Sequence, residues 1–416
     1  MQPSPRFPVN SDRLTRELAH LAAISEAEPP IVTRVVFSQA DLRARAYVQQ
    51  LCAEAGLTLR HDAVGNTFAR WQGTHPHLAP VATGSHIDAI PNAGAYDGTV
   101  GVLGALEAIR ALQLSGFQPA RPIELVLFTS EEPTRFGIGC LGSRLMGGVL
   151  SPDQASALRD PDDRSLDSLR AAAGFSGPLE TVRLAPGHFH AFVELHIEQG
   201  KTLERDRLDI GVVTAIAAPA SLWVTVHGEG GHAGAMLMPD RHDALAAAAE
   251  LILALERAAL ATTAIDSVAT VGLCEVFPGA VNSVPSRVRF SVDVRDTDAT
   301  RRDRILRELD DAVSEVAARR SVRITQETVN ADPPALCDPA IVAAVESSAI
   351  EAGLKSQRMV SRAYHDSLFV ARIAPVAMIF IPCRNGVSHR PDEYASPGSI
   401  AAGVQTLAAT LWKLSA

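Results

Sequence analysis

Apolar and polar positions along this chain follow two different rhythms. Leu14, Leu18, Leu21 and Ala22 recur at helical spacing, and a second helix is expected from about Asp41 until Gly56 interrupts it. Short apolar runs then alternate with helical ones. Pro80 to Ile87 reads as a strand, Thr99 to Leu114 as a helix, and Ile123 to Thr129 and Ala191 to Ile197 as strands. Runs this apolar suit strands covered on both faces. The β-α-β rhythm therefore predicts an α/β fold with a largely parallel sheet between helices. Asp160 to Leu169 is charged and polar and is expected to be a surface loop.

The rhythm changes near residue 211. Gly211 to Ala217 and Leu222 to Val226 are short alternating strands, followed by a helix from Arg241 to Leu260. Strands over Val268 to Val276 and Arg287 to Arg295, a helix from about Thr300 to Arg319 and a strand from Val322 to Thr328 complete a β-β-α-β-β-α-β module. This predicts an α+β domain over 212–328 inserted into a parent domain of 1–211 and 329–416. The parent rhythm resumes with a helix from Pro339, a strand over Val376 to Ile381 and a final helix from Ser399.

Composition narrows the class. The chain has 416 residues, enough for two domains, with 47% apolar and 20% charged residues, as in ordinary globular proteins. No apolar run approaches the ~20 residues of a membrane span. The first eight residues lack the apolar core of a signal peptide, so a cytoplasmic location is expected. Five scattered cysteines without a Cys-x-x-Cys pair read as reduced thiols. A net charge of -9 argues against a nucleic-acid partner.

The chemistry-bearing residues gather at the ends of predicted strands. Thr83-Gly84-Ser85-His86-Ile87-Asp88 ends in His and Asp, and Tyr96-Asp97-Gly98 follows. The Ile123 strand runs into Glu131-Glu132, His196 closes the Ala191 strand, and His389 follows the Val376 strand. Taken singly, each has a structural explanation: a capped strand end, a turn, an acidic helix start. Their shared position changes the weighing, because open α/β sheets bind ligands beyond the carboxyl ends of their strands. His86 then reads as a metal ligand, with Asp88 as the partner that fixes its tautomer. Competing signatures fail. There is no His-Glu-x-x-His and no Gly-x-Ser-x-Gly. Gln199-Gly200-Lys201-Thr202 has Leu195 where a phosphate loop needs its first glycine.

These motifs, with Glu194-Leu195-His196-Ile197-Glu198-Gln199-Gly200, Gly230-Gly231-His232-Ala233-Gly234 and Ala363-Tyr364-His365-Asp366, resemble the dinuclear M20 amidohydrolases. The resemblance covers essentially the whole chain. It points to the branch that holds N-carbamoyl-L-amino-acid hydrolases, β-ureidopropionase, allantoate amidohydrolase and ureidoglycolate amidohydrolase. It implies an M20 metallopeptidase-like catalytic domain with an inserted lid and dimerisation domain, and two divalent ions per subunit, with Mn²⁺ favoured and Zn²⁺ the alternative. His86, Asp97 and His196 would hold one ion, and Asp97, Glu132 and His389 the other. Glu131 would be the general base, and His232, supplied by the second subunit of a homodimer, would join it in catalysis. Gln199, His232, Asn282, Arg295 and His365 would surround a small anionic ureido substrate. Within the branch, the resemblance to ureidoglycolate amidohydrolase implies hydrolysis of (S)-ureidoglycolate in purine catabolism, with N-carbamoyl-L-amino acids or allantoate as alternatives. A non-catalytic binding protein on the same frame is the remaining class. Two departures stand out: Lys201 replaces a common Pro, and Ala235-Met236-Leu237 replaces the Thr-Thr-Pro of carbamoylases.

Overall fold

The computed structural model describes residues 6–416, so the first five residues of the stretch weighed against a signal peptide lie outside it. The chain divides into two compact units. One comprises residues up to Thr214 with Cys337–Ser361 and His365–Ala416, and the other Ala215–Leu336 with Arg362–Tyr364. The residue 328 boundary expected from sequence falls inside a strand, Arg323–Ala331, which pairs with Ala218–His227 almost throughout.

The first unit is built on one mixed sheet. Its central strands are Val376–Ile381, Ala191–Ile197, Val81–Ser85 and Ile123–Leu127, in that spatial order and all parallel. Antiparallel strands flank them, Ile210–Ile216 on one side and Thr67–Trp71 then Thr58–His61 on the other. Every residue of the four central strands is buried, as a sheet covered on both faces requires. The helices Thr99–Leu114 and Pro397–Ser415 pack against each other and against these strands. Leu103, Leu106, Ile109 and Leu112 of the first helix are fully buried, each contributing about 1.5–3 kcal/mol. Around Phe128 and Phe192, a further cluster includes Phe68, Val126 and Leu141.

Register decides where the chemistry sits. Ser85 lies opposite Leu127, and Ile197 lies opposite Ile381. The carboxyl ends of the four parallel strands therefore fall along one edge of the sheet, with Ala191–Ile197 and Val376–Ile381 reaching two residues further than the other two, and the segments leaving them carry His86, Glu131-Glu132, Gln199 and His389.

The second unit is an antiparallel sheet with two helices. Its strands run in the order Val268–Thr270, Arg287–Asp296, Ala218–His227, Arg323–Ala331, with Cys274–Phe277 also paired to Arg287–Asp296. Ala218–His227 and Arg287–Asp296 alternate buried and less buried positions, so one face of the sheet is core. On that core lie the helices Ala244–Ala261 and Ala299–Arg320. Asp243 caps the first by accepting from the Leu245 and Ala246 amides, and Asp298 caps the second through Arg301 N.

Two sequence expectations are corrected. Asp160 to Leu169 is not all loop, because Leu166–Ala172 is a helix anchored by the fully buried Leu166. Val268 to Val276 is two strands, split where the Ser291 hydroxyl and amide bond to the backbone of Leu273.

Candidate metal centre and active site

The segment leaving Val81–Ser85 places His86, which is 1% exposed. Its Nδ1 lies 3.0 Å from the Asp88 carbonyl oxygen and 3.7 Å from the Asp88 carboxylate. The backbone of Asp88, rather than its side chain, is thus the nearer partner of the imidazole. The Asp88 carboxylate instead accepts the amides of Glu131 at 3.2 Å and Glu132 at 3.0 Å. The sequence reading of Asp88 as the tautomer-fixing side chain is corrected accordingly: a carbonyl fixes the ring, and the carboxylate holds the Glu131-Glu132 turn. Arg34, itself fully buried, donates from Nε to the Ile87 carbonyl at 2.6 Å and pins the stretch between the two.

Asp97 stands at the centre. Its Oδ1 lies 3.6 Å from His86 Nε2 and 3.2 Å from His196 Nε2. Its Oδ2 lies 3.2 Å from His389 Nε2, which is also 3.2 Å from Glu132 Oε1. One carboxylate therefore serves two clusters, His86–Asp97–His196 and Asp97–Glu132–His389. Gly98 must be glycine here. Its φ is +64°, and a Cβ would lie 2.5 Å from the His86 ring. His196 Nδ1 is held 2.9 Å from the Ile197 carbonyl.

Glu131 belongs to neither cluster but faces one of them. Its Oε2 lies 3.7 Å from His86 Nε2, and its Oε1 accepts from the Cys140 thiol at 3.5 Å. Ser130, immediately before it, has φ +57°. A non-glycine residue in that conformation at a site is held there by its surroundings. Burial, reinforced by Glu132, Asp366 and Asp97, pushes the Glu131 carboxyl well above its usual range. Asp97 goes the other way: burial opposes ionisation, but the neighbouring imidazoles of His196, His389 and His86 hold it well below. His389 is raised to about 11 by its bonds to Asp97 and Glu132.

The donor set fits divalent cations. Among the described residues, the ion-pair partners of Asp97 and Glu132 are imidazoles, and His86 Nε2 is buried without a hydrogen-bond partner. Imidazole and carboxylate ligands suit Zn²⁺ and Mn²⁺ alike. A third grouping, Glu194–His196–His365, fits less well. The Glu194 oxygens are already taken by Ser85 Oγ at 2.8 Å and Ser367 Oγ at 2.5 Å.

The remaining candidates divide between the two units. Gln199, at φ +55°, donates from Nε2 to Asp97 Oδ2 at 2.7 Å. His365 is 2% exposed, its ring 4.5 Å from that of His196 and its Nε2 3.0 Å from Ser361 Oγ. His232, Asn282 and Arg295 belong to the second unit. There His232 Nδ1 accepts from Gly234 N at 3.1 Å, and the Asn282 carbonyl accepts from Ala233 N at 2.8 Å. Arg295 is engaged by Asp293 through Nε at 2.7 Å and Nη2 at 3.3 Å. Lys201 is exposed, and nothing in the structure explains its replacement of Pro. Sequence reasoning gave no role to Ser388 and did not single out Arg34, Cys140 or Glu393. The signal for Glu393 was an acid four residues beyond His389.

A family model described as Peptidase family M20/M25/M40 matches residues 82–413. The chain belongs to this family. The M20 membership expected from the motifs is therefore borne out, and the mixed α/β architecture agrees with it. Among its M20 relatives, ureidoglycolate hydrolase of Arabidopsis thaliana is 52% identical, the match covering 98% of this chain and 87% of the relative. N-carbamoyl-L-amino acid amidohydrolase of Geobacillus stearothermophilus is 37% identical, covering 98% and 99%. The crystal structure of AtUAH in complex with (S)-hydroxyglycine matches this M20 chain with a TM-score of 0.88 at 50% identity, covering 99% of each.

Proposed function

We propose that this M20 protein is a metal-dependent amidohydrolase that converts (S)-ureidoglycolate to glyoxylate, ammonia and carbon dioxide by way of hydroxyglycine, in purine-nitrogen salvage. The observation that carries the reading is Asp97 shared between two His–carboxylate clusters, with Glu131 beside them and outside both. The choice of substrate is supported by 52% identity to a ureidoglycolate hydrolase and by the (S)-hydroxyglycine complex of a structural relative.

His86, Asp97 and His196 would hold one divalent ion, and Asp97, Glu132 and His389 the second, Mn²⁺ being favoured over Zn²⁺. Such ions supply Lewis acidity toward the substrate carbonyl and toward water. Glu131 takes a proton from the attacking water on Oε2, the oxygen not engaged by Cys140, and delivers it to the departing nitrogen. Gln199, Asn282, Arg295 and His365 bind the substrate. Arg295 grips its carboxylate with paired hydrogen bonds, exchanging Asp293 for the ligand. His232 stabilises developing negative charge and comes from the partner of a homodimer whose Ala215–Leu336 domains serve as lid and contact. A cytoplasmic location is part of the same reading, supported by five unpaired thiols.

The test is ammonia release after reconstitution with Mn²⁺ or Zn²⁺, measured across ureidoglycolate, allantoate and N-carbamoyl-L-amino acids. Ureidoglycolate is expected to be turned over fastest. An enzyme inert to ureidoglycolate but active on either alternative would sink the substrate assignment.

A further inference from the structure

Behind the two clusters lies a buried carboxylate that belongs to neither. Glu393 is 5% exposed. Its Oε1 accepts the backbone amides of Tyr96 at 2.7 Å and Asp97 at 3.0 Å. Its Oε2 lies 2.8 Å from Ser388 Oγ, one residue before His389. Ser388 Oγ also lies 2.7 Å from Asp97 Oδ2 and 3.2 Å from Gln199 Nε2. One side chain thus ties the Asp97 loop to the His389 loop across 296 residues of sequence.

Space has been made for this tie. A Cβ on Gly94 would lie 2.3 Å from Glu393 Cβ, so the brace and any larger residue at 94 exclude each other.

The need for it follows from how differently the three histidines are held. His86 and His196 have side chains 1% exposed and are fixed by packing on the strand ends. The His389 side chain is 46% exposed, and its backbone sits at φ +59°, a conformation histidine adopts rarely. Packing cannot fix such a residue, so its position depends on the backbone that carries it. That backbone is anchored at Ser388.

We propose that Glu393 is a positioning residue that sets how tightly the Asp97–Glu132–His389 cluster holds its cation, by bracing the Asp97 loop against the His389 loop. The inference rests on the metal reading of that cluster given above. Groups that orient metal ligands from outside typically change affinity 10–100-fold when removed.

The experiment is stepwise Mn²⁺ binding, measured by competition with a chromophoric chelator, together with thermal unfolding with and without Mn²⁺. The variants are Glu393→Ala, Glu393→Gln, Ser388→Ala and Asp97→Ala. Glu393→Ala should weaken one binding step about 10–100-fold and the other much less, shrinking the Mn²⁺-induced gain in melting temperature. Glu393→Gln should remain within about fivefold of wild type, because its carbonyl still accepts both amides and its NH₂ donates to Ser388. Ser388→Ala leaves the Glu393 bonds to Tyr96 and Asp97 intact but releases the residue before His389 from both Glu393 and Asp97. It should reproduce the one-step loss even if Glu393→Ala does not fold. Wild-type affinity at both steps in Glu393→Ala and Ser388→Ala overturns the brace. A Gln variant as defective as Ala also overturns it, in favour of charge alone. Asp97→Ala retaining both ions would instead overturn the metal reading, and the brace with it. Loss of ions in Asp97→Ala alone leaves that reading standing and rejects only the brace.

Discussion

Asp88→Asn separates two views of what the acid after His86 does. In this structure the carboxylate, 1% exposed, accepts one backbone amide on each oxygen, from Glu131 and Glu132. Asparagine keeps one acceptor and turns an NH₂ toward the second amide. Bonds to a charged acceptor contribute ~1.5–3 kcal/mol each, and a buried amide left without an acceptor costs ~1–3 kcal/mol. One bond weakened to the neutral kind and one lost amount to about 2–4 kcal/mol, drawn from the turn that aims both glutamates. If half of that appears in the transition state, kcat falls on the order of 5- to 30-fold, at ~1.4 kcal/mol per decade. Steady-state ammonia release and urea unfolding of the same preparation measure the two effects. Wild-type kcat together with an unchanged unfolding midpoint would refute the reasoning. A variant that sheds metal, yet recovers full kcat at saturating Mn²⁺, would show the carboxylate acting through the imidazole instead.

Four further outcomes are expected. Glu131→Gln should abolish turnover while both metals stay bound by elemental analysis; loss of metal would mean that base and ligand are interchanged. Arg295→Lys should cut kcat/KM by the equivalent of about 2–4 kcal/mol without changing metal content, because an ammonium cannot reproduce paired guanidinium bonds; near-normal efficiency would assign the substrate carboxylate to another group. Co-expressed Glu131→Gln and His232→Ala chains should recover roughly one quarter of wild-type activity, since about half of random dimers are mixed and each holds one complete site; verified heterodimers as inactive as either parent would reject the shared site. Glu250 bonds to Arg319 and Arg320, which hold its pKa at about 2. A depressed carboxylate stabilises above its unfolded pKa and loses that contribution as pH falls through the folded value. Glu250→Gln should therefore cost ~1–2 kcal/mol at pH 7, discounted for partial exposure, with the gap closing below about pH 4; a gap that stays constant to pH 2 would contradict the ion-pair origin.

Elements with one dominant signal were legible from the chain. Thr99–Leu114, Ala191–Ile197 and Val376–Ile381 have the bounds read from sequence, because each is a predominantly apolar run closed by polar or loop residues. Elements whose existence depends on distant partners were not. Val32–Arg34 and Ala89–Ala93 form a two-stranded ladder too short to show a period. The break near Leu273 depends on Ser291, eighteen positions away in sequence and on the facing strand. Leu166–Ala172 was hidden by a charged stretch in which one buried leucine outweighs its neighbours.

The candidate site divides along the same line. His86, Asp97, Glu131-Glu132, His196 and His389 could be read because a parallel sheet delivers the ends of its strands to one edge, and each strand was visible in the sequence. What holds those residues could not be read. The Asp88 carboxylate spans 43 and 44 positions to reach its amides, and Glu393 spans 296 to reach Asp97. Neither contact leaves a local pattern, since a carboxylate that accepts backbone amides places no demand on the side chains it supports. Candidate ligands set by their chemistry can be read as motifs; supports set by their reach cannot. The buried half of the site, on strand ends, is accordingly the half that sequence describes best. The half carried by His389, exposed and in a left-handed backbone conformation, is the one whose geometry had to be found in three dimensions.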